Sequence, residues 1–203
     1  ILITFSALTQ VPAEFPETTI SNGVLSVRLH LPDPENGSYR GVRFDWSGNI
    51  FSLKYKGNEY FGQWYPTHDP SVHDAIAGPV DDFLPAGFAE ARPGETFLKI
   101  GVGVLVKPDD EPYSIARSYI MTNQGKWQTK KKSSRIQFTH DLKDEKYSYR
   151  YIKTIQLMKG KPVMLITHSF RNLGEKVIET PGYNHNFFVI RVGEYARCLN
   201  SQN

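Results

Sequence analysis

The sequence predicts an all-β fold of antiparallel sheets, and three observations carry that expectation. Apolar residues recur at period two through much of the chain, the spacing of strands with one buried face. Helical periodicity is nearly absent, with only Ser71 to Ile76 suited to a short helical turn. Glycine, asparagine and proline separate the alternating segments, which is the punctuation of a sandwich or a barrel.

The elements follow in chain order. Ile1 to Leu8 is apolar and lacks a basic flank. It reads as a first edge strand or as the tail of a secretory signal, and the second reading leans toward a periplasmic or secreted protein. Leu25, Val27, Leu29 and Leu31 point one way, and Ser26, Arg28 and His30 the other. Phe51, Leu53 and Tyr55 alternate with Ser52 and Lys54, and Lys56-Gly57-Asn58 then turns the chain toward Glu59 to Phe61 as a hairpin. Residues 97–106 read as one strand, with Leu98, Ile100, Val102, Val104 and Val106 on a face opposite Gly101 and Gly103. Glycines there permit close approach of another backbone or a ligand. Ile136, Phe138 and His140 share the face of a strand over 135–141. Tyr147, Tyr149 and Tyr151 alternate with Ser148 and Arg150 in a strand over 147–158, and Lys159-Gly160-Lys161 turns into a last one over 162–170.

Tyr65 to Glu95 stands apart as a long segment rich in Pro, Gly, Asp and His with little strand character. Long irregular loops in folded domains often carry function. Within it, His68-Asp69 and His73-Asp74 lack a recognised zinc spacing, so no metal is expected. Asp81-Asp82 is not a ready catalytic pair, because adjacent strand residues face opposite ways; one of the two facing a cleft fits the pattern.

With 203 residues, 39% of them hydrophobic and 22% charged, the chain suits one folded domain over residues 1–203. A net charge of +3 argues against nucleic acid as a partner. Lys130 to Lys132 reads as a solvated hairpin turn. No apolar run reaches the ~20 residues of a membrane-spanning helix, and no membrane partner is expected. The single cysteine, Cys198, has no internal partner and no nucleophile context.

The richest stretch chemically is Glu179 to Val189, where Asn184-His185-Asn186 is followed by Phe187 and Phe188. Sugars present apolar ring faces and hydroxyl edges, so a sugar site wants aromatic platforms beside amide and charged groups. Histidine exchanges a proton near neutrality. The plain alternative is a histidine bonded to backbone at a strand start. Arg43 is suited to clamp hydroxyls, or else to pair with Asp45 or another acid; Trp64 and Tyr65 form either a stacking platform or core. His140 and His168, beside apolar neighbours, read as ordinary strand-face histidines.

The strand at 162–170, the loop Arg171 to Glu175 and the Asn184-His185-Asn186-Phe187 order resemble galactose mutarotases and related aldose 1-epimerases around their acid histidine. The hairpin from Trp46 to Phe61 is similar to that family's early hairpin, and Gly78 to Phe83 followed by Gly94 to Gly103 resembles a divergent branch. The resemblance implies a curved two-sheet supersandwich with a sugar cleft on its concave sheet. It implies acid/base ring opening and closing of an aldose, with His185 as acid, no cofactor, and a mono- or oligosaccharide as ligand. Arg43, Trp64, His73, Asp74, Asn184 and Phe187 are the expected sugar contacts. The chain departs from the better-known members: it lacks their Gly-Arg…Asn-Arg and His-Gly-Gly segments. Their late glutamate base has no counterpart, since Glu194 sits in no matching motif. That implies a truncation, a shortened variant, or a site completed by another subunit, so a homo-oligomer stays open. The alternatives are a non-catalytic carbohydrate-binding sandwich or an accessory domain of a polysaccharide-degrading enzyme.

Overall fold

The computed structural model describes residues 15–63, 65, 67–192 and 195–200. The expectations for Ile1 to Leu8, Trp64 and Glu194 lie outside the described residues, and the Cys198 and Asp74 side chains are likewise not described.

Among the described residues fourteen strands follow one another: β1 (Glu17–Ser21), β2 (Leu25–His30), β3 (Asn49–Tyr55), β4 (Asn58–Glu59), β5 (Gly78–Phe83), β6 (Thr96–Lys99), β7 (Gly103–Val106), β8 (Met121–Asn123), β9 (Lys126–Lys132), β10 (Arg135–Lys143), β11 (Ser148–Leu157), β12 (Met164–Asn172), β13 (Gly182–Val192) and β14 (Tyr195–Asn200). The sole helical element among the described residues is a 3-10 turn at His73–Ala75, inside the segment expected to turn. All-β and antiparallel therefore hold.

The strands form four sheets, in the orders β1-β2-β3-β4, β12-β11-β10-β9, β14-β13-β5 and β6-β7-β8. The first two share one core: Ile20, Val27, Leu29 and Ile50 are buried in the same cluster as Ile136, Phe138, Ile155 and Leu157. This is the sandwich-like contact that two half-apolar sheets make to leave water. A second core joins β11 to the β6–β7 hairpin, with Tyr147, Tyr149 and Tyr151 against Leu98, Ile100 and Val104. The early hairpin closes through Lys56 (φ 48°) and Gly57 (φ 79°), both left-handed, as a tight two-residue turn requires.

Three expectations change. Residues 97–106 are not one strand but the hairpin β6–β7, which pairs Lys99 with Gly103. Gly101, at φ 73°, makes the turn, and a Cβ there would stand 2.4 Å from Asp45 Oδ1, so the glycine also allows the close approach. The segment 65–95 contains β5, a strand buried almost throughout. Its Pro79 is tolerated because β5 pairs on one side only, with β13. Lys130 to Lys132 end the strand β9 rather than forming a turn, and Ser133-Ser134 turn the chain instead. They are exposed as expected. β9 is an edge strand, where lysines discourage further pairing.

Candidate functional site

The β5–β13 pair places the chemistry. Its antiparallel register sets Tyr183 opposite Asp82, Asn184 opposite Asp81 and His185 opposite Val80. Directly opposed residues share a face, and successive residues alternate. Asp81 and Asn184 therefore look one way, and Asp82, Tyr183 and His185 the other.

On the Asp81 face, β11 and β12 supply the partners. The register sets Lys153 opposite His168, so both project to the side of Asp81. Asp81 Oδ2 lies 2.8 Å from Lys153 Nζ and accepts from His168 Nε2 at 2.9 Å. Asn184 Nδ2 donates to Asp81 Oδ1 at 3.2 Å. Lys153 Nζ also sits 3.5 Å from Asp45 Oδ2, with neither carboxylate in line for a hydrogen bond. Asp45 is held instead by the Ser47 N–H at 2.9 Å, the Ser47 hydroxyl, and the Tyr151 hydroxyl at 2.9 Å.

One ammonium thus serves two buried carboxylates. Burial pushes the Asp81 carboxyl up, but Lys153 and His168 overcome that and hold it well below the usual carboxylate range. For Asp45 burial wins over Lys153, and its carboxyl is raised. Asp45 is the more completely buried and also feels the Asp81 charge, whereas Asp81 has the closer ammonium and the His168 bond. Lys153 is pulled down by burial and more strongly up by both acids, so it stays charged. Above this floor opens a cleft of about 560 Å³ whose walls include Phe83, Ile100, Tyr151, Phe170 and Ile178.

On the Asp82 face the proportions are reversed. Asp82 Oδ1 accepts from Lys99 Nζ at 2.9 Å, and Oδ2 accepts from Arg43 Nε at 3.1 Å and from the Tyr183 hydroxyl at 2.9 Å. Lys99 and Asp82 have no exposed side-chain surface, and Lys99 also donates to the Phe83 carbonyl. Burial lowers the Lys99 pKa despite Asp82. The Arg43 guanidinium lies 4.4 Å from the Phe44 ring centre, a cation–π contact.

His185 stands at this cluster, half-buried. Its ring stacks on Phe187 at 4.9 Å and meets the edges of Tyr183 at 5.2 Å and Phe44 at 5.9 Å. Burial lowers its pKa, Arg43 lowers it further, and Asp82 raises it in part. The resting imidazole is neutral and can donate from one nitrogen while accepting at the other.

The expected site residues divide accordingly. Arg43, His185 and Phe187 come together. Asn184 lines the cleft on the opposite face with Asp81. His73 and Arg43 both line a small pocket of about 110 Å³ beside Ser71 and Val72; Asp74 follows His73 in the same 3-10 turn. Arg43 pairs with Asp82 rather than with Asp45. His140 is a satisfied core histidine: Nε2 donates to the Gln124 carbonyl at 2.9 Å, Nδ1 accepts from the Tyr149 hydroxyl, and Trp127 stacks on its ring.

Sequence reasoning missed Asp45, Lys99, Lys153 and His168 as members of charged clusters. One signal was available: Lys153 is in phase with Tyr149, Tyr151 and Ile155 on the apolar face of its strand. No family model, curated protein or solved structure matches the chain.

Proposed function

We propose that the chain is a carbohydrate-active protein of the aldose 1-epimerase type, using the Asp82 face of the β5–β13 pair. The observation that carries the reading is His185 stacked on Phe187 within reach of Arg43 and Asp82. Aromatic rings suit the apolar face of a sugar, and His185 and Arg43, which keep exposed surface, suit its hydroxyl edge. The resemblance of Asn184 to Phe187 to the family's acid-histidine segment supports the same assignment. In this reading a protonated His185 gives its proton to the ring oxygen of an aldose while a base takes the anomeric proton. The ring opens, C1–C2 rotates, and closure gives the other anomer. General acid and base catalysis each contribute roughly 10²–10⁴-fold.

One observation favours a second reading, carbohydrate binding without turnover. Asp82 is the carboxylate whose charge reaches His185, yet it is buried and already bonded to Lys99, Arg43 and Tyr183. A carboxylate committed in this way is a poor base. Polarimetry on freshly dissolved aldose separates the readings. The epimerase reading predicts anomer exchange above buffer, lowered ~10²-fold or more in His185→Asn. Equal rates for wild type and variant would remove His185 as the acid. Saturable sugar binding without exchange would establish the binding reading.

A further inference from the structure

The sheet β12-β11-β10-β9 has an outer face, turned away from Lys153, His168 and the cores. Its inner side carries Phe138, Tyr151 and Ile155, all buried. Strand alternation sends the residues between them outward, and the register orders these into rows across the four strands. Lys126, Asp141, Arg150 and Arg171 make the first row, and Gln128, Thr139, Ile152 and Ser169 the second. Lys130, Gln137, Thr154 and Thr167 make the third, and Lys132, Arg135, Gln156 and Leu165 the fourth. Lys143 lies beyond the first row, in phase with Asp141. Neighbouring rows are about 7 Å apart and neighbouring strands about 5 Å.

Two features set this face apart from an ordinary solvated surface. The first is its charge. It holds seven of the chain's 24 Lys and Arg residues and one of its 21 Asp and Glu. A chain of net charge +3 therefore carries +6 here and −3 elsewhere. Lysine and arginine are cations at neutral pH, and of the seven only Arg150 has an acid partner among the described residues, Asp141. The second feature is an opposition of like charges. The register sets Lys132 against Arg135 and Arg150 against Arg171, and like charges directly opposed across strands are destabilising. Edge protection accounts for lysines on β9, but not for arginines on the central strands β10 and β11. A bound polyanion would relieve both oppositions.

The uncharged residues choose among polyanions. The four rows contain no aromatic ring, and rings are the platforms on which single-stranded nucleic acid stacks its bases. A broad sheet face also offers no helix or ribbon to enter a duplex groove. A lipid surface asks for apolar side chains among the cations, and Leu165 is the only large exposed one in the rows. What the rows do hold between the cations is Thr, Ser and Gln, with Gln128, Thr167 and Ser169 exposed. Hydroxyl and amide groups both donate and accept, which suits the hydroxyls of a sugar chain.

We propose that the outer face of the sheet β12-β11-β10-β9 docks an acidic polysaccharide, a linear chain with an anionic group on its sugars. The first and fourth rows take the anionic groups through Lys126, Arg171, Lys132 and Arg135. The rows between them, with Lys130, take the hydroxyls through Thr, Ser and Gln. The assignment does not rest on the His185 reading, which concerns a different part of the molecule.

Binding of the whole chain to four probes at about 0.15 M salt tests it: polygalacturonate, neutral dextran, duplex DNA and phosphatidylglycerol vesicles. Polygalacturonate should bind and dextran should not, and added salt should weaken the binding. Polygalacturonate should also bind more tightly than DNA, although duplex DNA packs one charge into about every 1.7 Å of its axis and would win on an unselective cationic surface. Lys130→Gln/Lys132→Gln should weaken polygalacturonate about tenfold through two lost exposed ion pairs. Arg28→Gln/Lys54→Gln removes the same charge from exposed positions of the other sheet and should change it little. Gln128→Ala/Thr167→Ala, also at exposed positions, should weaken polygalacturonate several-fold and leave DNA unchanged. Tighter binding of DNA or of vesicles would overturn the assignment, as would equal losses in the two charge variants or no binding of polygalacturonate.

Discussion

Asp81 and Asp82 are neighbours in one strand, yet they live in opposite electrostatic worlds. On the Asp81 face two carboxylates share one ammonium, that of Lys153. On the Asp82 face two cations, Lys99 and Arg43, share one carboxylate. The strand's period of two does this unaided. The consequence is a difference in what each face can still accept. The Asp81 cluster underlies a cleft with an exposed histidine, whereas Asp82 is wholly buried with three donors on its two oxygens. Buried ion pairs of this kind are weak evidence of stability by themselves. Their value lies in orienting His168 on one face and Tyr183 and Arg43 on the other.

Removing each lysine in turn should separate the two faces most strongly. Lys153→Met leaves two buried carboxylates without their ammonium and should cost about 3–5 kcal/mol. Lys99→Met should cost less, about 1–3 kcal/mol, because Arg43 and Tyr183 still serve Asp82. Urea unfolding midpoints measure both, and equal losses would mean that the sharing of charges does not matter.

Acid separates the ionic clusters from the neutral core histidine. Burial lowers the His140 pKa from 6.5 to about 4, against smaller opposing effects of the Gln124 carbonyl and Asp141. The unfolded chain therefore binds the proton first. Stability is full above pH 6.5 and falls as pH drops toward about 4, by about 3 kcal/mol in all. Asp81, with its pKa depressed, contributes above the ordinary carboxylate range and loses that contribution only at lower pH. Burial lowers His30 to about 4 as well, so unfolding free energies across pH 7 to 4 should show the slope of both histidines, and His140→Gln should make it shallower without removing it.

Smaller effects sharpen the picture. Gly101→Ala forces a side chain at φ 73° toward Asp45, and should destabilise by about 1–3 kcal/mol while disturbing His168 signals before those of His185. Tyr183→Phe removes one donor from Asp82 and should cost about 1 kcal/mol, with His185 responding and His168 silent.

Much of the fold could be read directly from residues. Leu25 to Leu29, Ile136 to Phe138 and Tyr149 to Tyr151 alternate cleanly, and each became a strand with its apolar face buried; Phe51, Leu53 and Tyr55 also became a strand, but they are only half-buried and the residues buried there are Ile50 and Ser52. The β6–β7 hairpin was hidden because Leu98, Ile100, Val102 and Val104 are apolar on both sides of a turn, so alternation continued through it. β5 was hidden by the opposite cause: Gly78, Pro79, Asp81 and Asp82 look like a loop, and only partners distant in sequence make those aspartates tolerable inside. The same holds for the charged clusters. Lys153 and His168 lie opposite each other in register, but their pairing with Asp81 depends on how β5 packs against another sheet, which no local pattern encodes. His185 was visible from its neighbours, yet its separation from Asn184 follows simply from strand alternation.

Under the proposed function, sugar is taken on the Asp82 side of the β5–β13 pair and not on the Asp81 side. The most direct test is to follow the ring signals of His185 and His168 by NMR while an aldose such as D-glucose is titrated into the protein. Saturable movement of His185 with His168 unmoved is the expected result. Movement of His168 instead, of both together, or of neither at saturating sugar would contradict it.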